Sequence, residues 1–381
     1  MSRDSRKAPE RHVATTKLRE SFYGCLLGGA VGDALGAPVE FMSDQQILER
    51  FGKTGIRDFV PAYGRIGAVT DDTQMMLFTA EGLLRALVRS QTKGICHPPA
   101  LIAYAYLRWL HTQGVSHPLH SSCLDGWLIG HRDLHSRRAP GSTCLSALQA
   151  LTEIGVDARN NSKGCGGVMR VAPVGMLAAS LATKSPETRQ FEINRAFELG
   201  CQTAGLTHGH PTGKLAAGAL SSLICQLLLG ANLHAAVEKA LPQLSAQRES
   251  KETSDAVRKA VRLARERPNT TTALRELGEG WVAEEALAIG LYCALSASDF
   301  ESGVVLAVNH GGDSDSTGLI ALHLLGSIHG LAAIPSRWLQ PLELRDVLEE
   351  VADDLATAPD WKVGETATAE SEYYSQRYPG R

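Results

Sequence analysis

Four glycines spaced four residues apart, Gly24, Gly28, Gly32 and Gly36, run through the segment GCLLGGAVGDALGAPVEF. At roughly 100° per helical residue such a series drifts only about 40° per step, so on a helix it forms one nearly continuous stripe. Glycine inside a helix costs about 1 kcal/mol relative to alanine. A helix that carries the stripe can touch its neighbour backbone to backbone, and close packing is its expected use. The same helix holds an acid, Asp33, and a second acid, Glu40, follows the helix-ending Ala37-Pro38. Carboxylates beside tightly packed apolar surface need a metal, a hydroxyl or an amide as partner, which makes Glu40 a candidate site carboxylate.

The rest of the chain repeats the helical signature. Apolar residues recur with helical rather than alternating spacing over 75–90, 100–112, 144–154, 194–204, 214–229, 254–267, 283–297, 317–330 and 342–355. Strand signals are confined to 59–61 and 303–308, and the second fits a buried helical turn equally well. The pattern predicts an all-α fold. No fixed-period repeat and no flexible linker divides the 381 residues. A single domain over 21–362 is therefore expected, with a mobile basic arm at 1–20 and a polar, mobile tail at 363–381. The charged stretch 243–272 reads as a solvated helix face.

Composition narrows the partners. A net charge of -3 offers no basic field for phosphate backbones, so nucleic acid is excluded as the principal partner. Eight cysteines are scattered without a CxxC pair, as expected of buried free thiols in a reducing compartment. The N-terminal residues have no apolar core of a secretory signal, and the apolar run from Leu215 is broken by Ser221, Ser222, Gln226, Asn232 and His234. A cytoplasmic protein without a membrane span is expected.

Four segments could carry chemistry. In VTDDTQM, Thr70, Asp71 and Asp72 precede a strongly apolar helix; Asp71 to Gln74 matches a capping box, while adjacent carboxylates also suit a hard cation. In HGGDSDSTG, Asp313, Asp315 and Ser316 form a second oxygen cluster ahead of an apolar helix, where a cap would account for one acid but not both. An EF-hand counted from Asp313 would need Glu at the position occupied by Leu324. An aspartyl phosphatase would want its DxDxT after a strand early in an α/β domain. In NSKGCGGVMR, the loop Ser162, Gly164, Cys165, Gly166 and Gly167 leaves backbone amides free to surround an anion. The turn RRAPGSTC could line the same cleft. In THGHP, His208 and His210 lack the spaced partners of a zinc site, so His208 reads as a substrate contact. Glu284 and Glu285 are explained by their place at a helix start.

Taken in order, GDALGAPVEF, TDDTQM, APGSTC, SKGCGGVMRVAP, THGHP, GWVAEEAL and HGGDSDSTG resemble the ADP-ribosylglycohydrolase family over most of residues 21–338. The resemblance implies a compact all-α fold with a centre of two Mg²⁺ ions, Mn²⁺ being able to substitute. It implies Thr70, Asp71, Asp72, Asp313, Asp315 and Ser316 as metal ligands, with Glu40, Asp71 and Asp72 as the catalytic carboxylates around the ribose. The implied activity is hydrolysis of the bond joining ADP-ribose to a protein side chain, and DSDST, with Ser316, resembles the arginine-specific form. An ADP-ribosylated protein would be the substrate. The alternative reading is an immunity protein that neutralises an ADP-ribosyltransferase toxin by contact through the basic arm, with or without hydrolysis. No acid between Leu110 and Arg137 aligns as a general base, leaving Asp125 and Asp133 as candidates.

Overall fold

The computed structural model describes residues 16–364 and 368–380. Among them the α-helices are, in order, α1 (Thr16–Gly36), α2 (Asp44–Phe51), α3 (Asp71–Lys93), α4 (Pro98–Thr112), α5 (Ser142–Gln149), α6 (Ala172–Lys184), α7 (Arg189–Gly205), α8 (Pro211–Leu228) and α9 (Leu233–Ser245). They continue with α10 (Lys251–Glu266), α11 (Thr271–Leu277), α12 (Ala283–Ser296), α13 (Phe300–Val308), α14 (Ser314–His329), α15 (Ser336–Leu339), α16 (Arg345–Thr357) and α17 (Ala369–Arg377). No strand forms among the described residues; isolated bridges join Ala62 to Arg65 and Gly164 to Val282.

The antiparallel pair α1 and α14 is the axis of the fold, and the glycine stripe explains it. A Cβ added at Gly24 would lie 2.4 Å from the Gly326 carbonyl oxygen, at Gly32 2.3 Å from that of Gly318, and at Gly36 2.4 Å from Asp315 Cα. No side chain fits at such distances, so backbone packs on backbone along the whole pair. The contact ends with the C-terminus of α1 against the first turn of α14. Helices α3, α6, α8, α12, α13 and α16 pack around the two, burying Leu26, Leu27, Val31, Leu319 and Leu322.

Several elements depart from the sequence expectation. Helix α3 begins at Asp71, so both acids belong to its first turn. Residues 303–308 lie in α13, where Asp299 and Ser302 form a reciprocal capping box: Asp299 Oδ1 accepts from Ser302 N at 2.8 Å and Ser302 Oγ from Asp299 N at 3.2 Å. Helix α6 showed no period because nearly every side chain in it is buried and it has no polar face. The stretch Cys165–Lys184 is long and apolar enough to cross a membrane by length and composition, but most of it is buried inside the protein.

The two ends differ. Residues 1–15 of the expected basic arm lie outside the described residues, and Thr16 already starts α1, where Arg19 Nε meets Asp353 Oδ1 of α16 at 2.6 Å. The C-terminal stretch, expected to be mobile, instead folds as α17 and docks. Tyr378 is fully buried, Trp361 stacks on Tyr374 with centroids 3.8 Å apart, and the Arg377 guanidinium lies 3.6 Å from the centre of the Trp127 ring. Its polar composition masked two aromatic anchors.

Candidate active site and cation centre

Two helix N-termini meet, and α1 aligns them both. Asp33 of α1 accepts hydrogen bonds from Thr70 N at 3.0 Å, Thr73 N at 3.1 Å and the Thr73 hydroxyl at 2.5 Å, which pins the first turn of α3 to α1. The glycine stripe locks α1 to α14 on its other side. Consequently the Ser316 hydroxyl donates to Asp72 Oδ2 at 2.8 Å, joining the two acidic clusters across 244 residues of chain.

Capping does not account for these acids. The N-cap of α3 is Thr70, whose hydroxyl oxygen accepts from Asp72 N at 3.3 Å, so neither Asp71 nor Asp72 fills that role. Asp313 stands at the N-cap of α14 but makes no capping bond, and its Oδ2 is buried with no hydrogen-bond partner. The same is true of Glu40 Oε2. Oxygens of Glu40, Asp313 and Asp315 all lie within 4.8 Å of one another. Glu40, read from sequence as a catalytic carboxylate, thus stands within the candidate ligand group itself.

The electrostatics agree with the geometry. Burial, then the charges of Asp315, Asp313 and Asp71, push the Glu40 carboxyl up to about 11. Burial and Asp315 raise Asp33 to about 7 against the opposing hydrogen bonds from Thr73 and Thr70. Asp71, Asp72 and Asp313 are raised well above the usual carboxylate range, burial being the first cause in each. So many carboxylates in one dry space ionise together only around a compensating cation. Orphaned oxygens and an all-oxygen donor set fit a hard divalent ion such as Mg²⁺ or Mn²⁺.

These residues form one end of a cavity of about 350 Å³, which Asp71, Asp72, Asp313, Asp315, Ser316 and Glu40 share with Gly164, Cys165, Gly166 and His208. Thr70, Ser162 and Gly167 stand behind that wall: Thr70 is fully buried, Ser162 Oγ lies 3.1 Å from Thr143 Oγ, and Gly167 packs on Ala204. The turn at Ala139, Pro140 and Gly141 closes another side, tied to α3 by Gly141 N donating to Asp71 Oδ2 at 3.2 Å. The expected ring of amides is narrower than the sequence suggested. The Cys165 amide donates to Trp281 O and that of Gly164 to Ser162 Oγ, leaving the Gly166 amide at the head of a single 3₁₀ turn that faces the cavity. Asn160 brings His208 to this loop by accepting from Ser162 N and Gly209 N and donating to Thr207 O. His210 instead caps α8.

The sequence reading missed the mouth of the cleft. Phe41 and Trp281 stack there with centroids 5.4 Å apart, both exposed, and Phe41 holds the left-handed φ of 68° that a bulky residue rarely adopts. Both lie inside motifs already singled out, where attention went to the acids beside them. The remaining acids are occupied elsewhere: Asp125 pairs with Arg85 at 2.8 Å, Asp133 faces Arg65 at 3.8 Å, and Glu284 pairs with Lys163. A larger groove of about 960 Å³ between α2 and α13 is lined by acids already paired or capping helices, such as Asp44, Glu301 and Asp299.

Fold and cleft together define a class, an all-helical protein with a buried carboxylate cluster that fits a cation. The profile of the ADP-ribosylglycohydrolase family matches residues 14–363, and the chain belongs to that family. An uncharacterized protein of Archaeoglobus fulgidus is 30% identical over 353 residues, covering 89% of this chain and 96% of its own. An ADP-ribosyl-(dinitrogen reductase) glycohydrolase of Rhodospirillum rubrum is 26% identical, covering 88% and 95%, and the ADP-ribosylarginine hydrolase Tri1 of Pseudomonas putida 23%, covering 87% and 76%. A solved structure described as an ADP-ribosylglycohydrolase-related protein complex superposes with a TM-score of 0.63 at 28% identity, over 90% of this chain and 99% of that one. The protein is a hydrolase of ADP-ribosyl bonds in the general sense of its family, which is metal-dependent as a rule.

Proposed function

We propose that the protein removes ADP-ribose from arginine side chains of modified proteins in a Mg²⁺-dependent reaction. The observation that carries this reading is the convergence of Glu40, Asp313 and Asp315 with the Asp72–Ser316 pair in one cleft that a glycine-rich loop also lines. Asp71, Asp72, Asp313, Asp315 and Ser316, with Glu40 beside them, would hold two divalent ions. When bound, such ions acidify water and orient ribose hydroxyls.

The chain's own residues account for the rest. The Gly166 amide and His208 receive the pyrophosphate, which fixes the anomeric carbon over the carboxylates. The stacked Phe41 and Trp281 shield the mouth from water. As the bond from C1′ to the guanidinium nitrogen breaks, positive charge grows on the ribose, and the carboxylates of Glu40, Asp71 and Asp72 stabilise it. A water oxygen bonds to C1′, the departing nitrogen takes up a proton, and the products are ADP-ribose and arginine. All eight cysteines are free thiols, which supports a reducing, cytoplasmic setting.

The test is incubation with ADP-ribosyl-arginine and ADP-ribosyl-serine proteins, with Mg²⁺, with Mn²⁺ and with EDTA. Release from arginine that requires the cation is expected. Release from serine alone would overturn the acceptor, and full activity in EDTA would overturn the cation centre.

A further inference from the structure

Behind the glycine-rich loop lies a buried charge with no counter-charge. Arg170 is fully buried, yet no carboxylate among the described residues is hydrogen-bonded to its guanidinium. Nη2 donates to Thr207 Oγ at 2.6 Å and to Thr203 O at 3.2 Å, Nη1 meets the sulfurs of Met75 and Cys144 at 3.5 Å each, and Nε is buried without a partner. The Tyr106 ring supports the cation 4.3 Å away. An unpaired buried guanidinium is costly to keep, and a structural pair with an acid would be cheaper.

Its effect is transmitted one bond further. A guanidinium only donates, so Thr207 Oγ accepts from Arg170, and the Thr207 hydroxyl proton must go elsewhere. His208 Nδ1, 2.8 Å away, is the nitrogen acceptor within reach. If Nδ1 accepts, the single proton of the neutral ring resides on Nε2. Burial first, and the charge of Arg170 second, push His208 down to about 3, so the ring stays neutral. Nε2 faces the loop, lying 3.4 Å and 3.3 Å from where Cβ atoms at Gly164 and Gly166 would stand.

We propose that Arg170, acting through the Thr207 hydroxyl, holds His208 as its Nε2–H tautomer, so that the ring offers a neutral donor to an anionic oxygen of the ligand lying on the loop. Arg170 and Thr207 are positioning residues: the opposite tautomer would turn a lone pair towards the anion. The ligand part rests on the proposed function, in which that anion is the pyrophosphate of ADP-ribose.

Long-range ¹H–¹⁵N correlation spectra of the full chain with ¹⁵N-labelled histidine, the His208 signals being identified by their loss in H208Q, read the tautomer near neutral pH. The expected result is the Nε2–H pattern in the wild type and in T207S. T207V, which removes the relay hydroxyl, and R170M, which frees Thr207 Oγ to accept from Nδ1–H, are each expected to give a mixture. ADP-ribose titrated into the Mg²⁺-loaded protein should bind about 10-fold more weakly to T207V, with affinity restored in T207S. An Nδ1–H pattern in the wild type, or a pure Nε2–H pattern retained in folded T207V and R170M, overturns the proposal. A wild type with the Nε2–H pattern that releases no ADP-ribose would overturn the proposed function and leave the tautomer assignment standing.

Discussion

Helix α3 carries two buried charge clusters ten residues apart, and they are built on opposite principles. At its middle, Glu81 is fully satisfied: Oε1 accepts from Arg85 at 3.0 Å and Oε2 from Arg108 at 2.8 Å, while Arg85 also reaches Asp125 at 2.8 Å. At its start, Asp71 and Asp72 face Asp313, Asp315 and Glu40 with no cationic side chain among the described residues paired to them, and two of the carboxylate oxygens have no partner among those residues. The first cluster pairs each acid with a cation of the chain, Arg108 Nη2 being the one atom of it left without a partner among the described residues, and it holds helices together. The second is complete only with something from outside the chain. Partner chemistry, rather than burial or charge, therefore separates a structural site from a binding one.

The sharpest way to break this contrast is to neutralise one acid in each cluster. Asp313→Asn or Asp72→Asn should lower ADP-ribose release by about 10³-fold or more while leaving the cation-free fold at least as stable as the wild type, since a buried carboxyl that is costly to ionise has gone. Chemical unfolding in EDTA together with turnover in Mg²⁺ measures both effects; a variant that keeps its turnover would dissolve the distinction. Glu81→Ala should do the reverse. It leaves the buried Arg108 guanidinium without an acid and Arg85 with Asp125 alone, and should cost about 3–5 kcal/mol of stability, with turnover per folded molecule little changed.

A smaller effect comes from the ion. Mg²⁺ at about 100 times its dissociation constant should stabilise the wild type by about 2.7 kcal/mol, and Asp313→Asn by much less. Thermal melts over a Mg²⁺ series decide this, and an equal shift in both proteins would place the ion elsewhere. The smallest is a pH slope. In the cation-free protein Glu40 is raised to about 11 and Asp33 to about 7, so the folded state keeps protons that the unfolded chain releases. Stability from these groups is full below the ordinary carboxylate range of about 4 and is lost as pH rises through 7 towards 11. Unfolding midpoints in EDTA should therefore fall between about pH 5 and pH 8, and saturating Mg²⁺, which favours the ionised carboxylates, should flatten the decline. A slope that Glu40→Gln leaves untouched would remove Glu40 from its cause.

Much of this could be read from the chain alone, because it rests on local periodicities. The spacing of Gly24, Gly28, Gly32 and Gly36 required a partner helix at backbone distance, and helical periodicity elsewhere excluded a sheet. The acids of TDDTQM and HGGDSDSTG were recognisable as oxygen clusters, and their order with the glycine-rich segments carried the family resemblance. The reading faltered where local rules are silent. Helix α6 has no polar face to create a period, α17 and the residue that follows it hide Tyr374 and Tyr378 in a polar stretch, and the Phe41–Trp281 pair joins residues 240 positions apart.

For the candidate site the division is sharper. Sequence determined that acids stand at the starts of two helices, a place where a cap and a metal ligand look the same, since either is a carboxylate ahead of an apolar helix. Only the tertiary structure excluded the cap. Asp33 and the glycine stripe fix α3 and α14 to the same helix, so the two N-termini face one another and the Asp72–Ser316 bond closes over a pocket with unpartnered Glu40 and Asp313 oxygens. Whether a buried carboxylate has a partner depends on every element packed around it, and that sum of non-local contacts cannot be read from the residues on either side.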